Sequence, residues 1–135
     1  MKITNSMSGK KEEFVPLKKG EVKMYACGIT VYDLSHIGHA RQAITYAMIT
    51  DYLRYRGYKV TYVRNYTDVD DKIINKANEL GRDALDFSRE QIQETENDMA
   101  ALHVTDADIK TKASEYRVRT LDRNDLNEKG KIFIG

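Results

Sequence analysis

The stretch Val22-Lys23-Met24-Tyr25-Ala26-Cys27-Gly28-Ile29-Thr30-Val31-Tyr32-Asp33-Leu34-Ser35-His36-Ile37-Gly38-His39 decides the fold. Val22 to Cys27 is a short apolar run closed by Gly28, the signature of a buried strand. Gly28 to Ser35 reads as the loop leaving that strand, and a long helix begins at Gly38. Ala40, Ala43, Ile44, Ala47, Met48, Tyr52 and Tyr55 recur at steps of three and four, which places them on one helix face. Gly57 follows as a helix stop. Tyr58 to Arg64, with Val60, Thr61 and Val63, reads as a second strand. Strand, helix and strand in so short a span form a βαβ unit, which requires a parallel sheet and a right-handed crossover. The fold class is therefore α/β.

Working outward, Asn65 to Asp71 reads as a turn, followed by a helix from Asp71 to Leu80 that Gly81 stops. Asp68 or Asp70 is the expected cap of that helix rather than part of an acidic metal cluster. A further amphipathic helix, Ala84 to Leu102, carries Phe87, Ile92, Met99 and Leu102. Before the first strand, residues 1–20 read as an irregular leader in which Phe14, Val15 and Leu17 can pack. Tyr52, Tyr55 and Tyr58 are expected in core or rim packing, and Arg54, Arg56 and Lys59 on a solvated face. Thr105 to Tyr116 reads as a polar loop with a short helix, and Lys131 to Ile134 as an edge strand.

The chemistry concentrates at His36-Ile37-Gly38-His39. Free N–H groups at a helix N-terminus, with the helix dipole behind them, favour an anion. Two histidines flanking a glycine add donors that can stabilise charge building on a phosphate in an in-line displacement. Gly38 lacks a Cβ, so a flat adenine can approach the backbone. The Thr30 hydroxyl, in the same loop, can reach a phosphate. ATP is then expected at the C-terminal ends of the strands that hold Cys27 and Arg64.

Three segments in order extend this reading: Met24 to Asp33, His36 to His39, and Tyr62-Val63-Arg64-Asn65-Tyr66-Thr67-Asp68-Val69-Asp70-Asp71-Lys72-Ile73-Ile74. Together they resemble the cysteinyl-tRNA synthetase family of class I aminoacyl-tRNA synthetases, in the N-terminal part of its catalytic domain. Looser similarity runs through Asp98 to Leu102 and Lys112 to Glu115. The resemblance implies the first half of a Rossmann-like, HUP-type nucleotide-binding fold, and ATP-dependent activation of cysteine followed by its transfer to tRNA(Cys). By position it implies that His36 and His39 are catalytic and contact ATP phosphates, and that Gly38 lies under the adenine. Cys27, Gly28 and Thr67 match the amino-acid pocket. ATP would enter with Mg2+. Cys27 also matches the first ligand of a Zn2+ ion that, in the complete enzymes, binds the substrate thiolate. Zinc is thiophilic and a serine hydroxyl ligates it poorly, so the ion separates cysteine from serine.

The family's other zinc ligands (a second Cys, a His and a Glu), its lysine loop and its anticodon-binding part have no counterpart in these 135 residues. Cys27 alone does not make a tetrahedral site. The expected division is a leader at 1–21, the Rossmann-like half-domain at 22–104, and a remnant of the connective region at 105–135. Two other readings remain open. One is a nucleotide- or amino-acid-binding fragment, or a split subunit without full catalysis. The other is a cysteine-activating ligase of thiol biosynthesis, against which Val31 and Ile37 stand by resemblance.

Composition narrows the class further. The 22 basic and 21 acidic residues nearly cancel, so no global field draws nucleic acid. A single cysteine excludes an internal disulfide and fits a reducing compartment. No run approaches the roughly 20 apolar residues of a membrane span, and a cytoplasmic location is expected. A half-sheet exposes an edge and apolar surface, so self-association of the chain is a risk.

Overall fold

The computed structural model describes residues 1–116 of the chain. Its order is β1 (Lys2–Asn5), β2 (Lys10–Glu13), β3 (Glu21–Ala26), α1 (Ile37–Tyr55), β4 (Lys59–Tyr66), α2 (Asp71–Glu79), α3 (Ala84–Ala101) and β5 (Ile109–Lys112), closed by a 3-10 turn at Ala113–Tyr116. β3, β4 and β5 form one sheet in that order and β1 pairs with β2 in another. β3 runs parallel to β4, with Val22 opposite Val60 and Ala26 opposite Arg64. β5 joins the far side of β4, also parallel, with Val63 opposite Ile109. The α/β class and the parallel βαβ unit expected from the sequence are present.

Alternation decides what faces the helices. Val22, Met24 and Ala26 on β3, and Val60, Tyr62, Arg64 and Tyr66 on β4, are buried. Val22 and Val60 pack with Leu53 of α1, while Met24, Ala26 and Tyr62 take Tyr46 and Ile49 from the same helix. A third cluster joins Ile29, Val31 and Tyr66 to Ile73 and Ala77 of α2 and to Phe87 and Ile92 of α3. Asp70 caps α2 by accepting from Lys72 N at 2.9 Å, and Asp83 caps α3 by accepting from Leu85 N at 2.9 Å. Asp68 instead is buried and accepts from the backbone N–H and hydroxyl of Ser114.

Several expectations change. On α1 the buried residues are Ala43, Ala47, Thr50 and Leu53, with Tyr46 and Ile49 half-buried against the sheet. Ile44, Met48, Tyr52 and Tyr55 turn outward, Tyr55 being 85% exposed. The leader is not irregular but a hairpin, with Lys2 opposite Glu13 and Asn5 opposite Lys10. Phe14 at its end packs edge-on against Tyr58, with centroids 6.0 Å apart, while Val15 and Leu17 are exposed. Leu102 is likewise exposed rather than in the core.

The polar segment after α3 contains β5, so the sheet extends beyond residue 104. Asp108 fastens it by accepting from Tyr62 N at 2.7 Å and pairing with Arg54 at 2.8 Å. Lys110 adds a link by bridging Glu96 and Asp106, each at 2.8 Å. Arg54 is thus committed to an ion pair rather than simply solvated. The strand expected at Lys131 to Ile134 lies outside the described residues. Among the described residues no helix is long and apolar enough to cross a membrane.

Candidate active site

Parallel strands present their C-terminal ends, and the loops that leave them, at one edge of the sheet, where ligands of open α/β sheets bind. After Ala26 the chain does not depart at once. Cys27 to Thr30 runs on beside the end of β4. Gly28 N donates to Asn65 Oδ1 at 2.7 Å, Thr67 N to Ile29 O at 3.1 Å, and Val31 N to Thr67 O at 3.3 Å. Thr30 and Thr67 form a parallel bridge. Gly28 is dictated by space, because a Cβ there would lie 1.3 Å from Asn65 O. Of the residues that the sequence singled out, Cys27, Gly28, Thr30 and Thr67 are therefore brought together.

The loop then crosses to α1, tied to α3 by Ser35 Oγ and Thr95 Oγ1 at 3.3 Å. His36 is the N-cap. Its Nδ1 accepts from Gly38 N at 3.0 Å, and His39 Nδ1 accepts from His36 N at 3.3 Å. This is a reciprocal capping box built from two imidazoles. The rings stack with centroids 3.8 Å apart and planes at 22°. A nitrogen that accepts carries no proton, so each neutral ring bears its hydrogen on Nε2. Both Nε2–H donors remain uncommitted among the described residues. Burial holds the His39 pKa below its ordinary value, and neighbouring His36 and Arg64 push it the same way.

Gly38 has a second role beside the one expected for it. A Cβ at this position would meet His36 Cε1 at 2.8 Å and Nδ1 at 2.9 Å. The glycine makes room for the imidazole that caps its own helix. From Gly38 an open groove of about 340 Å3 runs along α1, lined by Arg41, Gln42, Thr45, Tyr46 and Ile49. Gln42 Nε2 reaches back to Cys27 O at 3.4 Å, which connects the groove to the strand end.

The chain matches the family described as tRNA synthetases class I (C) catalytic domain over residues 13–130. It belongs to that family. Cysteine–tRNA ligase of Maridesulfovibrio salexigens is 50% identical over 116 residues, which are 86% of this chain and 24% of the relative. That of Geobacter metallireducens is 51% identical over 134 residues, 98% of this chain and 28% of the relative. The chain thus spans about a quarter of the length of the curated relatives it matches. Among solved structures, a Mycobacterium tuberculosis methionyl-tRNA synthetase in complex with methionyl-adenylate superposes with a TM-score of 0.59 at 18% identity, covering 76% of this chain and 19% of that one. A LeuRS of Agrobacterium radiobacter K84, in a ternary complex with tRNA, gives 0.58 at 19% identity, covering 73% and 13%. These two likenesses concern the fold, which is that of a partial class I synthetase catalytic domain.

Cys27 is exposed rather than packed in a core. Among the described residues no three His, Cys, Asp or Glu side chains are grouped as a metal ion would require. These residues do not fit a zinc ion by themselves, and no chemistry here is routed through one. Two residues beside these loops were given no role in the sequence reading. Asn65 holds Gly28 in place, and Arg64 is buried on β4 opposite Ala26. The period-two alternation Val60, Tyr62, Arg64, Tyr66 already placed Arg64 on the core face, a position where an arginine is unusual.

Proposed function

We propose that this chain is the ATP-binding half of a cysteine-activating catalytic domain whose intact protein charges tRNA(Cys). The observation that carries this reading is the stacked pair His36 and His39. Both Nδ1 atoms are consumed by backbone N–H groups, so two Nε2–H donors are preset beside a helix N-terminus. Relatives of about half identity named as cysteine–tRNA ligases support the choice of amino acid, and favour this reading over a ligase of thiol biosynthesis.

In the reaction, a carboxylate oxygen of cysteine attacks the α-phosphorus of ATP. The bond from that phosphorus to the α–β bridging oxygen breaks, and pyrophosphate leaves. Negative charge grows on the phosphate oxygens as the bonds exchange. His36 and His39 donate through Nε2–H to those oxygens, and the α1 N-terminus adds its dipole. Because the capping box fixes both rings before substrate arrives, little reorganisation is needed in the transition state. Thr30 offers a hydroxyl to the phosphates, Gly38 leaves the backbone open to the adenine, and Cys27, Gly28 and Thr67 line the amino-acid side.

The test is ATP–pyrophosphate exchange by the intact protein with cysteine, serine and no amino acid. Exchange that depends on cysteine is expected. Exchange driven equally by serine, or none with cysteine, would remove the assignment.

A further inference from the structure

The site leaves one charged side chain without a partner. Arg64 is 7% exposed, on the helix-facing side of β4. Among the described residues its guanidinium makes no hydrogen bond and no ion pair, and Nη2 is sealed from solvent with nothing to donate to. The other two guanidinium nitrogens are not sealed, and they carry no hydrogen bond either. Its favourable contact is with the Tyr66 ring, 5.6 Å from the centroid. Arginine has five donors and does not lose its proton in proteins, so burying it without a hydrogen-bond partner is a standing cost.

Its position says what would repay that cost. The register sets Arg64 beside Ala26, the residue before Cys27-Gly28, and its neighbour Asn65 holds Gly28. It is close enough to His39 for its charge to act on that ring. Three sources of positive potential therefore converge at one end of the sheet: the α1 N-terminus, the imidazole N–H donors and the buried guanidinium. The acidic groups nearby are committed elsewhere. Glu96 and Asp106 are held by Lys110, Asp108 by Arg54, and Asp68 by Ser114.

We propose that Arg64 is a phosphate-binding residue of this site, and that the partner its guanidinium lacks is an oxyanion of the nucleotide polyphosphate seated against the α1 N-terminus. This rests on the nucleotide reading above and adds to it the residue that anchors the polyphosphate from below. A planar fork that donates in pairs suits a phosphate group, and a lysine at the same place would offer charge without the fork.

The experiment is calorimetric titration of the intact protein, wild type, Arg64→Met and Arg64→Lys, with ATP, adenosine and cysteine in separate runs, alongside ligand-free melting temperatures. Arg64→Met is expected to weaken ATP by about 10- to 100-fold, the scale of hydrogen bonds to a charged group. Adenosine and cysteine should change by less than about 3-fold, and Arg64→Lys should fall between wild type and Arg64→Met. The ligand-free melting temperature of Arg64→Met should stay level or rise, since an unpaired buried cation has been removed. Unchanged ATP affinity with a lowered melting temperature would make Arg64 structural and overturn the proposal. A loss confined to cysteine would assign the guanidinium to the amino-acid carboxylate and equally overturn it. Should Arg64→Met not fold, Arg64→Lys binding ATP as tightly as wild type overturns it. A wild-type protein that binds no ATP overturns the nucleotide reading and this proposal together, whereas wild type and Arg64→Met binding ATP equally overturns this proposal alone.

Discussion

Replacing Gly28 by alanine should unfasten the point where the ends of β3 and β4 meet. The new Cβ would sit 1.3 Å from Asn65 O and 2.5 Å from Asn65 C, both backbone atoms that no rotamer change can move. Carbon and oxygen need roughly 3.5 Å, so one strand end must retreat by about 2 Å. That displacement breaks the bonds joining the two segments, Gly28 N to Asn65 Oδ1 at 2.7 Å, Thr67 N to Ile29 O at 3.1 Å and Val31 N to Thr67 O at 3.3 Å. At about 1 kcal/mol each they contribute about 3 kcal/mol, and the strain of overpacking adds ~1–3 kcal/mol. A loss of about 4–6 kcal/mol is a large part of the ~5–15 kcal/mol that stabilises a typical domain. At about 4 °C per kcal/mol for a chain of this size, the melting temperature should fall by roughly 15 °C or more. Thermal unfolding followed by far-ultraviolet circular dichroism measures this directly. A fall under about 3 °C would show that the strand ends are not closed against each other as described.

Other perturbations probe neighbouring parts. Gly38→Ala should push the His36 ring from its cap, since the Cβ would lie 2.8 Å from Cε1, and should slow adenylation at saturating ATP and cysteine by about 100-fold while ATP affinity changes only a few-fold; a wild-type rate would mean that the ring position is immaterial. His39 has a pKa below its unfolded value of about 6.5, so near pH 6 the unfolded chain binds more protons than the folded one. The stability it contributes is complete above about pH 6.5 and is lost as pH falls through its folded pKa; melts from pH 8 to pH 5 should therefore decline more steeply in wild type than in His39→Gln, and parallel curves would contradict the shift. The 135-residue chain alone should retain far less than one equivalent of zinc after dialysis, measured by elemental mass spectrometry, because Cys27 has no companion ligands among the described residues; a full equivalent would show that it does find partners.

Much of this was legible before any coordinates. The βαβ unit declares itself through Val22 to Ala26, the α1 periodicity and Val60 to Tyr66, because buried parallel strands need apolar alternation and a crossover helix. Cys27, Gly28, Thr30 and Thr67 could be grouped from motif order, because the parallel pairing of β3 with β4 sets their two segments side by side. The phase of α1 could not be read that way. Ile44 and Met48 are more apolar than Ala43 and Ala47, yet it is the alanines that are buried, while Leu53, Ile49 and Tyr46 make the packing onto the sheet. The hairpin Lys2–Asn5 with Lys10–Glu13 was hidden because charged residues fill it and its register depends on cross-strand bonds rather than on apolar alternation. β5 was hidden for a related reason. Its sequence, Ile-Lys-Thr-Lys, is mostly polar, and it is held by pairing to β4 and by the ties of Asp108 and Lys110. Likewise, no periodicity announces that both imidazoles at the start of α1 accept from backbone N–H groups and so leave their Nε2–H donors open.

The central claim is that those two donors stabilise the transition state of adenylation rather than merely hold ATP. Single-turnover formation of cysteinyl adenylate by His39→Ala in the intact protein, at saturating ATP and cysteine, tests it most directly. The rate constant should fall by about 100-fold or more while the dissociation constant for ATP rises by only a few-fold, the pattern of a lost preorganised donor. A wild-type rate at saturation, with the whole loss appearing in ATP affinity, would contradict it.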